Sequence, residues 1–169
     1  MDLGTHGTHT AGTMGAAGNN AWLLTGVNWD LESMALKFLG QDSGGIDAAI
    51  ECMNYVLEQK DRGENIVATN ASWGGSGHSQ VTKNVISQLG KEGIVLCVAA
   101  GNGGQDRIGD NNDVYPTQYP ASYDLDNIIS VAATDRNDDL VKSYYWGSNY
   151  GSASVDLAAP GVDVLSTYL

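Results

Sequence analysis

The fold class is decided by residues 79–101, SQVTKNVISQLGKEGIVLCVAAG. Four apolar side chains of its first half share one helical face: Val81, Val85, Ile86 and Leu89. Gly93 is the kind of residue that ends a helix. The following run, 94–100, is apolar without alternation, which is typical of a strand covered on both faces. We therefore predict a helix over 79–92 followed by a buried strand.

The same alternation of helix and strand extends to both sides of this segment. Residues 44–60 place six apolar side chains on one helical face: Ile46, Ala49, Ile50, Met53, Val56 and Leu57. Shorter apolar runs at 34–39, 66–68 and 128–133 predict further strands. This order indicates βαβ units with right-handed crossovers, so we expect an α/β fold with a largely parallel sheet.

The composition limits the class of partner. The 169 residues suit one domain, and 22 glycines against 3 prolines favour a compact fold. The net charge of −12 repels phosphate, so we expect neither nucleic acid nor membrane as a partner. No stretch is long and apolar enough to span a bilayer, and no signal peptide is evident.

Cys52 and Cys97 lie in apolar patterns and are expected to be buried free thiols.

The segment 5–12, THGTHTAG, carries two of the three histidines. His6 and His9 are three positions apart and share a helical face, so with a third ligand such as His78 they could bind a metal. Alternatively, one of them is a general base, or both are structural residues at the start of a tightly packed helix. The segment alone leaves these three interpretations open.

Two further polar segments follow predicted strands. Asn102 ends the run VAAGNG at 98–103, either as a turn residue or as an amide donor to a developing oxyanion. The segment NASWGG at 70–75 contains Ser72, which lacks the strained elbow of a nucleophilic serine. Its two glycines expose backbone groups that suit binding of an extended peptide.

These segments, together with DLAAPG at 156–161, resemble the ordered signature blocks of the subtilases. Residues 119–124 and 127–133 also resemble the bacterial members, so the resemblance covers nearly the whole chain. It implies a three-layer α/β fold, with a mainly parallel sheet flanked by helices. It also implies a secreted, extracellular serine endopeptidase that hydrolyses polypeptides through an acyl-enzyme and needs no cofactor for catalysis.

The resemblance assigns a role to each matching position. His6 matches the general base, His9 a structural neighbour and Asn102 the oxyanion-hole donor. The substrate-binding positions lie in three places: Ser72, Trp73 and Gly74 in one wall of the pocket for the P1 side chain, Ala100 and Gly101 in the other, and Ser43 and Gly44 in the opposing edge. The peptide bond before Pro120 matches a position that is often cis. The small residues of the walls favour bulky apolar P1 groups, although Gln118 near the pocket floor is unusual.

Two blocks of the family are not found in this sequence. No aspartate block precedes His6, and no Gly-Thr-Ser block follows Pro160. We therefore interpret 1–169 as a partial catalytic domain with one triad member. We expect it to be inactive alone, and either to associate with a copy or a partner or to be only part of a larger chain. The alternative function is that of a non-catalytic homologue, which would act as a peptide-binding or interaction module.

Structural calcium is a further implication of the resemblance. Residues 18–20, GNN, resemble part of a calcium loop of the family, and the acidic stretch 106–113 is a second candidate. Each segment can equally be read as a solvated loop, so the sequence leaves metal binding open.

Overall fold

The computed structural model describes residues 5–168 apart from 22, 41–43, 104–105, 107 and 115–117. The chain forms two compact units, one of Met1–Cys52 with Asp163–Leu169 and one of Met53–Val162. The elements in chain order are α1 His6–Gly15, α2 Ile46–Asp61, β1 Ala68–Ala71, α3 Gln80–Lys91, β2 Val95–Ala99, β3 Ile128–Thr134 and β4 Leu157–Pro160. The predicted α/β class is confirmed.

The first unit contains α1, which is tied to the end of the chain by hydroxyl groups. Ser166 Oγ donates to the carbonyl of His9, and Thr167 Oγ1 donates to that of Thr8, each at 2.6 Å. A Cβ at Gly12 would lie 2.1 Å from Thr167 Oγ1. The small residues of the histidine segment therefore permit the close packing that the sequence predicts.

The second unit contains a four-stranded sheet in the order β1-β2-β3-β4, with all three strand pairs parallel. β1 and β2 are joined through α3, which packs on β2 and forms the predicted βαβ unit. The parallel sheet is therefore confirmed for the part of the chain that the structure describes.

Burial alternates along β2 instead of extending to both faces. Leu96 and Val98 are buried, whereas Val95 and Cys97 are half-buried. The prediction of strands covered on both faces is wrong here, because apolarity alone does not show which face α3 covers.

The two cysteines are free thiols, as predicted, but both are half-buried and not fully enclosed. Burial and the neighbouring Glu51 raise the pKa of the Cys52 thiol. The thiolate, which is the nucleophilic form, is therefore disfavoured at Cys52.

α3 begins and ends close to its predicted bounds. The Ser79 side chain caps it by accepting a hydrogen bond from the backbone N–H of Thr82 at 3.2 Å, and Gly93 follows it with φ of 72°. Asn127 Nδ2 donates to the carbonyls of Ile86 and Ile94, at 3.0 and 3.2 Å. This amide connects α3 to the chain that enters β2.

Two strand predictions differ from the structure. Residues 34–39 form no strand, and Met34 and Leu39 at its ends are 44% and 48% exposed. β1 begins at Ala68, where pairing with Val95 begins, and not at residue 66. An apolar run shows that a segment is hydrophobic, whereas a strand also needs a partner for its backbone.

None of the described helices is both long and apolar enough to cross a membrane.

Candidate functional site

Two of the predicted substrate-binding segments leave the sheet side by side. Ala71, the last residue of β1, pairs with Val98 in the parallel neighbour β2. Residues 72–74 and 100–102 therefore emerge at the same carboxyl edge, where open α/β sheets bind their ligands. The structure thus brings together both predicted walls and Asn102.

The first wall is anchored by a short antiparallel bridge. Gly75 N–H donates to the carbonyl of Tyr119 at 2.9 Å, and Tyr119 N–H donates to that of Gly75 at 2.8 Å. The peptide bond between Tyr119 and Pro120 is cis, as predicted. Ser72 Oγ accepts a hydrogen bond from Asn70 Nδ2 at 3.0 Å, so its described environment is that of a loop residue.

The second wall requires glycine at position 101. Gly101 has φ of 114°, which side-chain-bearing residues rarely adopt. A Cβ there would lie 2.6 Å from Asn149 Nδ2 and 3.2 Å from Gln118 Cγ. Gly101 therefore lets two side chains approach the strand end closely.

A pair of buried asparagines, Asn112 and Asn149, holds the backbone on both sides of Asn102. Asn149 Oδ1 accepts from Gly103 N–H at 2.7 Å, and its own backbone N–H donates to the carbonyl of Gly101 at 2.9 Å. Asn149 Nδ2 donates to Asn112 Oδ1 at 3.1 Å, and Asn112 Nδ2 donates to the carbonyl of Ala100 at 2.8 Å. These two side chains, 1% and 3% exposed, form what we call the asparagine bracket.

Asn102 itself is exposed at the centre of this bracket. Its side chain makes no hydrogen bond with any residue that the structure describes. Its loop is nevertheless fixed on both sides through Gly101 and Gly103. The result is an available amide on a constrained backbone, which is what stabilisation of a developing negative charge requires.

An aromatic cluster supports the bridge to the first wall. The rings of His78, Tyr119 and Tyr123 lie within 4.7–5.4 Å of one another, centroid to centroid. The Tyr123 hydroxyl accepts from Ser79 N–H at 3.0 Å and donates to its carbonyl at 2.9 Å. His78 is thus accounted for by ring packing beside the start of α3.

The remaining predicted positions belong to the first unit. His6 is the exposed first residue of α1, and its ring bonds to none of the described residues. His9 Nε2 lies 3.1 Å from the carbonyl of Val164, a structural contact of the kind the resemblance implies. A Cβ at Gly44 would lie 2.1 Å from the carbonyl oxygen of Phe38, and Ser43 lies outside the described residues.

The metal interpretations depend on which donor groups lie together and which are already hydrogen-bonded. Within the described ranges, no three His, Cys, Asp or Glu side chains gather as metal ligands would. The Asp113 carboxylate is occupied by the backbone and hydroxyl groups of Ser152 and Ser154, which lower its pKa from 3.8 to about 2. Asn20 Nδ2 donates to the carbonyl of Ala17. Structural calcium at 18–20 and 106–113 therefore stays an expectation.

Sequence reasoning missed the asparagine bracket. Asn112 lies in a stretch interpreted as an acidic loop, and Asn149 lies in the turn-like segment 147–151, GSNYG. Neither segment carries an apolar pattern that would indicate burial. Only the structure brings Asn149 to Gly103, 46 positions away in the chain.

Comparison with known proteins places the sequence in a family. The sequence matches the subtilase family over residues 1–169. It is 34% identical over 167 residues to a thermophilic serine proteinase of Bacillus sp. (strain AK1) and 36% identical over 168 residues to subtilisin BL of Lederbergia lenta. Each match covers 99% of this chain, but 37% and 55% of the respective relatives. It is also 33% identical over 172 residues to subtilisin-like protease 2 of Plasmodium falciparum (isolate 3D7), covering 98% of this chain and 12% of that protein. With a family match along its full length, the chain belongs to the subtilase family.

Proposed function

We propose that this chain is part of a serine endopeptidase that cleaves polypeptides through an acyl-enzyme, with Asn102 stabilising the oxyanion. The observation that carries the proposal is the exposed Asn102 amide, on a backbone that the asparagine bracket holds at the two strand-end walls. When a nucleophile adds to a peptide carbonyl, negative charge develops on its oxygen. A donor carried by a restrained backbone stabilises the transition state with little reorganisation.

The first wall supplies a peptide-binding edge. Among the described residues, nothing hydrogen-bonds to the N–H or C=O of Gly74, whereas those of Gly75 are both engaged with Tyr119. An extended substrate can pair its backbone with Gly74 as an additional strand would. Such pairing holds the scissile carbonyl in position and is independent of side-chain identity.

The general base in this proposal is His6, and His9 is structural. The described contacts separate the two rings, because that of His9 lies against the Val164 carbonyl while that of His6 has no described partner. An imidazole titrates near neutral pH, so it can accept the nucleophile's proton and return it to the leaving amine. The nucleophilic serine and the aspartate that orients His6 must come from sequence outside residues 1–169.

Active-site labelling tests this assignment. The whole protein should react with a fluorophosphonate probe and hydrolyse peptide substrates, and His6→Ala should abolish both. His9→Gln, which keeps a polar side chain near Val164, is the matched control and should retain labelling. Residues 1–169 alone should not react, since they contain no Gly-Thr-Ser block. Labelling of this isolated chain, lost in His6→Ala, would contradict the proposal.

The same experiment separates the enzyme from a non-catalytic homologue. A whole protein that binds peptides but neither reacts with the probe nor cleaves any peptide would be an interaction module. We extend the proposal to an extracellular location, which rests on the resemblance to secreted bacterial members. Its test is the presence of the protein in cell-free culture medium.

We further propose that the isolated chain self-associates. Within the described sheet β1 pairs only with β2 and β4 only with β3, and unpaired edges invite strand addition. Val67 and Leu157 near these edges are 62% and 48% exposed. Light scattering should detect dimers or larger species, and a monodisperse monomer would contradict this expectation.

A further inference from the structure

Asn102 and Gly103 form the only Asn-Gly pair in the sequence. Such a pair is chemically labile, because glycine has no side chain to keep its backbone nitrogen away from the asparagine side chain. In a flexible chain this nitrogen loses its proton and attacks Cγ of the asparagine. The new N–Cγ bond closes a succinimide ring, and the Cγ–Nδ2 bond breaks as ammonia leaves with the proton. Water then opens the ring to aspartate or isoaspartate, so that a neutral amide becomes a carboxylate.

The backbone itself requires glycine at position 103. Gly103 has φ of 75°, in the left-handed region where a residue with a Cβ is strained. A larger residue, which would hinder the ring closure, is therefore disfavoured there. The turn that presents Asn102 thus contains the sequence pair that is most prone to this reaction.

One residue, Asn149, binds both peptide groups that flank Asn102. Its backbone N–H donates to the carbonyl of Gly101 at 2.9 Å, and its Oδ1 accepts from the Gly103 N–H at 2.7 Å. The succinimide nitrogen carries no hydrogen, so the second of these bonds must break before the ring can form. An amide oxygen is also too weak a base to remove the proton from the Gly103 nitrogen. The bond to Asn149 therefore opposes the first step of the reaction.

The acceptor on Asn149 is fixed in its turn. The residue is 3% exposed, and its Nδ2 donates to Asn112 Oδ1 at 3.1 Å. Its Oδ1 also accepts from the Asp110 N–H at 3.0 Å. Withdrawal of the Gly103 N–H leaves this buried oxygen with one partner fewer, which costs free energy.

We propose that Asn102-Gly103 is a latent deamidation site and that Asn149 keeps it unreactive. Asn149 is in this respect a positioning residue that preserves the amide of its neighbour. The consequence for activity rests on the proposed function, because a carboxylate at position 102 would repel the developing oxyanion instead of donating to it. The modification itself does not depend on that function.

The test measures the conversion of Asn102 during incubation of the whole protein in mildly alkaline buffer, by peptide mapping with mass spectrometry. The protein carries His6→Ala to prevent self-digestion, and a synthetic peptide with the sequence of residues 98–104 is the unprotected reference. Asn102 in the folded protein should convert at least about tenfold more slowly than in the peptide, because a hydrogen bond to a buried acceptor must open first. Equal rates would overturn the inference.

A pair of variants separates protection by Asn149 from general stability. In the same background, Asn149→Ala removes the acceptor and should raise the rate of conversion by about tenfold, towards that of the peptide. Gly63→Ala is the matched control, because it strains a position with φ of 100° and lowers stability without altering the bracket. Its rate should equal that of the unaltered sequence. A rate raised equally in both variants would mean that Asn149 acts only through global stability, which contradicts the inference.

Hydrogen exchange covers the case in which Asn149→Ala does not fold. The Gly103 N–H of the unaltered protein should be protected from exchange by its bond to Asn149. Exchange of this N–H as fast as in the peptide would overturn the inference, because the nitrogen would then be free to react.

Activity distinguishes this inference from the proposed function. In the Asn149→Ala protein with His6 intact, peptide hydrolysis should be lost with the same time course as the conversion of Asn102. If Asn102 converts and hydrolysis persists, the assignment of Asn102 as oxyanion donor fails, whereas the inference stands. If Asn102 stays unmodified in Asn149→Ala, the inference fails and the proposed function is untouched.

Discussion

The histidine segment on α1 and the strand end at 99–103 both match signature blocks of the family, yet the contacts around their polar residues differ. His6 is exposed, and no described residue positions its ring. Asn102 is equally exposed, but the asparagine bracket fixes the backbone on both sides of it. A motif therefore identifies a chemical group, whereas the positioning of that group depends on residues distant in sequence.

This contrast also shows how the loop that carries Asn102 is fixed in the second unit. The bracket makes no described hydrogen bond with the side chain of Asn102. It acts by restricting the loop that carries Asn102, using hydrogen bonds to the backbone of Ala100, Gly101 and Gly103. Variants of Asn102, Gly101 and Asn149 should therefore differ in how they change kcat and folding stability.

The largest effect is expected from the donor. Asn102→Ala in the whole protein should lower kcat by roughly 10²–10³ with little change in KM, because the lost interaction forms only in the transition state. This magnitude is the one established for the corresponding asparagine of subtilisin, a member of the same family. Steady-state kinetics measures it, with Asn84→Ala on the exposed side of α3 as control. A drop confined to KM would contradict the role of Asn102.

The next effect concerns the geometry of the strand end. Gly101→Ala should destabilise the fold by about 1–3 kcal/mol through its positive φ, with a further cost from the contact with Asn149. Gly63→Ala is the matched control, because Gly63 has φ of 100° but open space around it. Chemical denaturation of both variants isolates the contribution of the contact. Equal losses of stability would show that Asn149 does not restrict position 101.

A smaller effect is expected when the bracket alone is removed. Asn149→Ala leaves the Gly103 N–H and the Asn112 amide without their partner, at a cost of about 1–3 kcal/mol of folding stability. It should also lower kcat by less than Asn102→Ala does, since the donor is still present. Asn149→Asp keeps the acceptor for Gly103 and should recover part of kcat. If Asn149→Ala had normal kcat but reduced stability, the bracket would have only a structural role.

The smallest effect is a change in acid stability beside the bracket. The pKa of Asp113 is lowered to about 2 in the folded state by hydrogen bonds from Ser152–Ser154. Its stabilising contribution is therefore fully present above pH 3.8 and is lost as the pH falls towards 2. Denaturation curves between pH 5 and pH 2 should be less pH-dependent for Asp113→Asn. Identical pH profiles would show that this carboxylate does not support the loop.

Much of the fold could be predicted because hydrophobic periodicity reports it directly. α2 and α3 lie within two residues of their predicted bounds, and β2 and β3 follow their apolar runs. The apolar run at 34–39 led to a wrong strand prediction. A segment forms a strand only when its backbone pairs with another segment, and the local sequence does not show whether such a partner exists. Residues 72–74 and 100–102 meet because parallel strands bring their carboxyl ends to one edge.

The supporting residues of the site could not be predicted in the same way. Asn112 and Asn149 lie in loops whose composition is that of turns, and their burial depends on chain contacts 12 and 46 positions apart. Gln118 was recognisable as unusual, but its position between Gly74 and Gly101 depends on the bridge from Tyr119 to Gly75.

The bridge between Gly75 and Tyr119 has a consequence for how such a protein can diversify. Because backbone groups alone form it, the side chain at the preceding position 118 can be exchanged without loss of either hydrogen bond. A substitution there should therefore leave the sheet and the loop that carries Asn102 in place. Sequence variation at position 118 should accordingly be tolerated at little cost in folding.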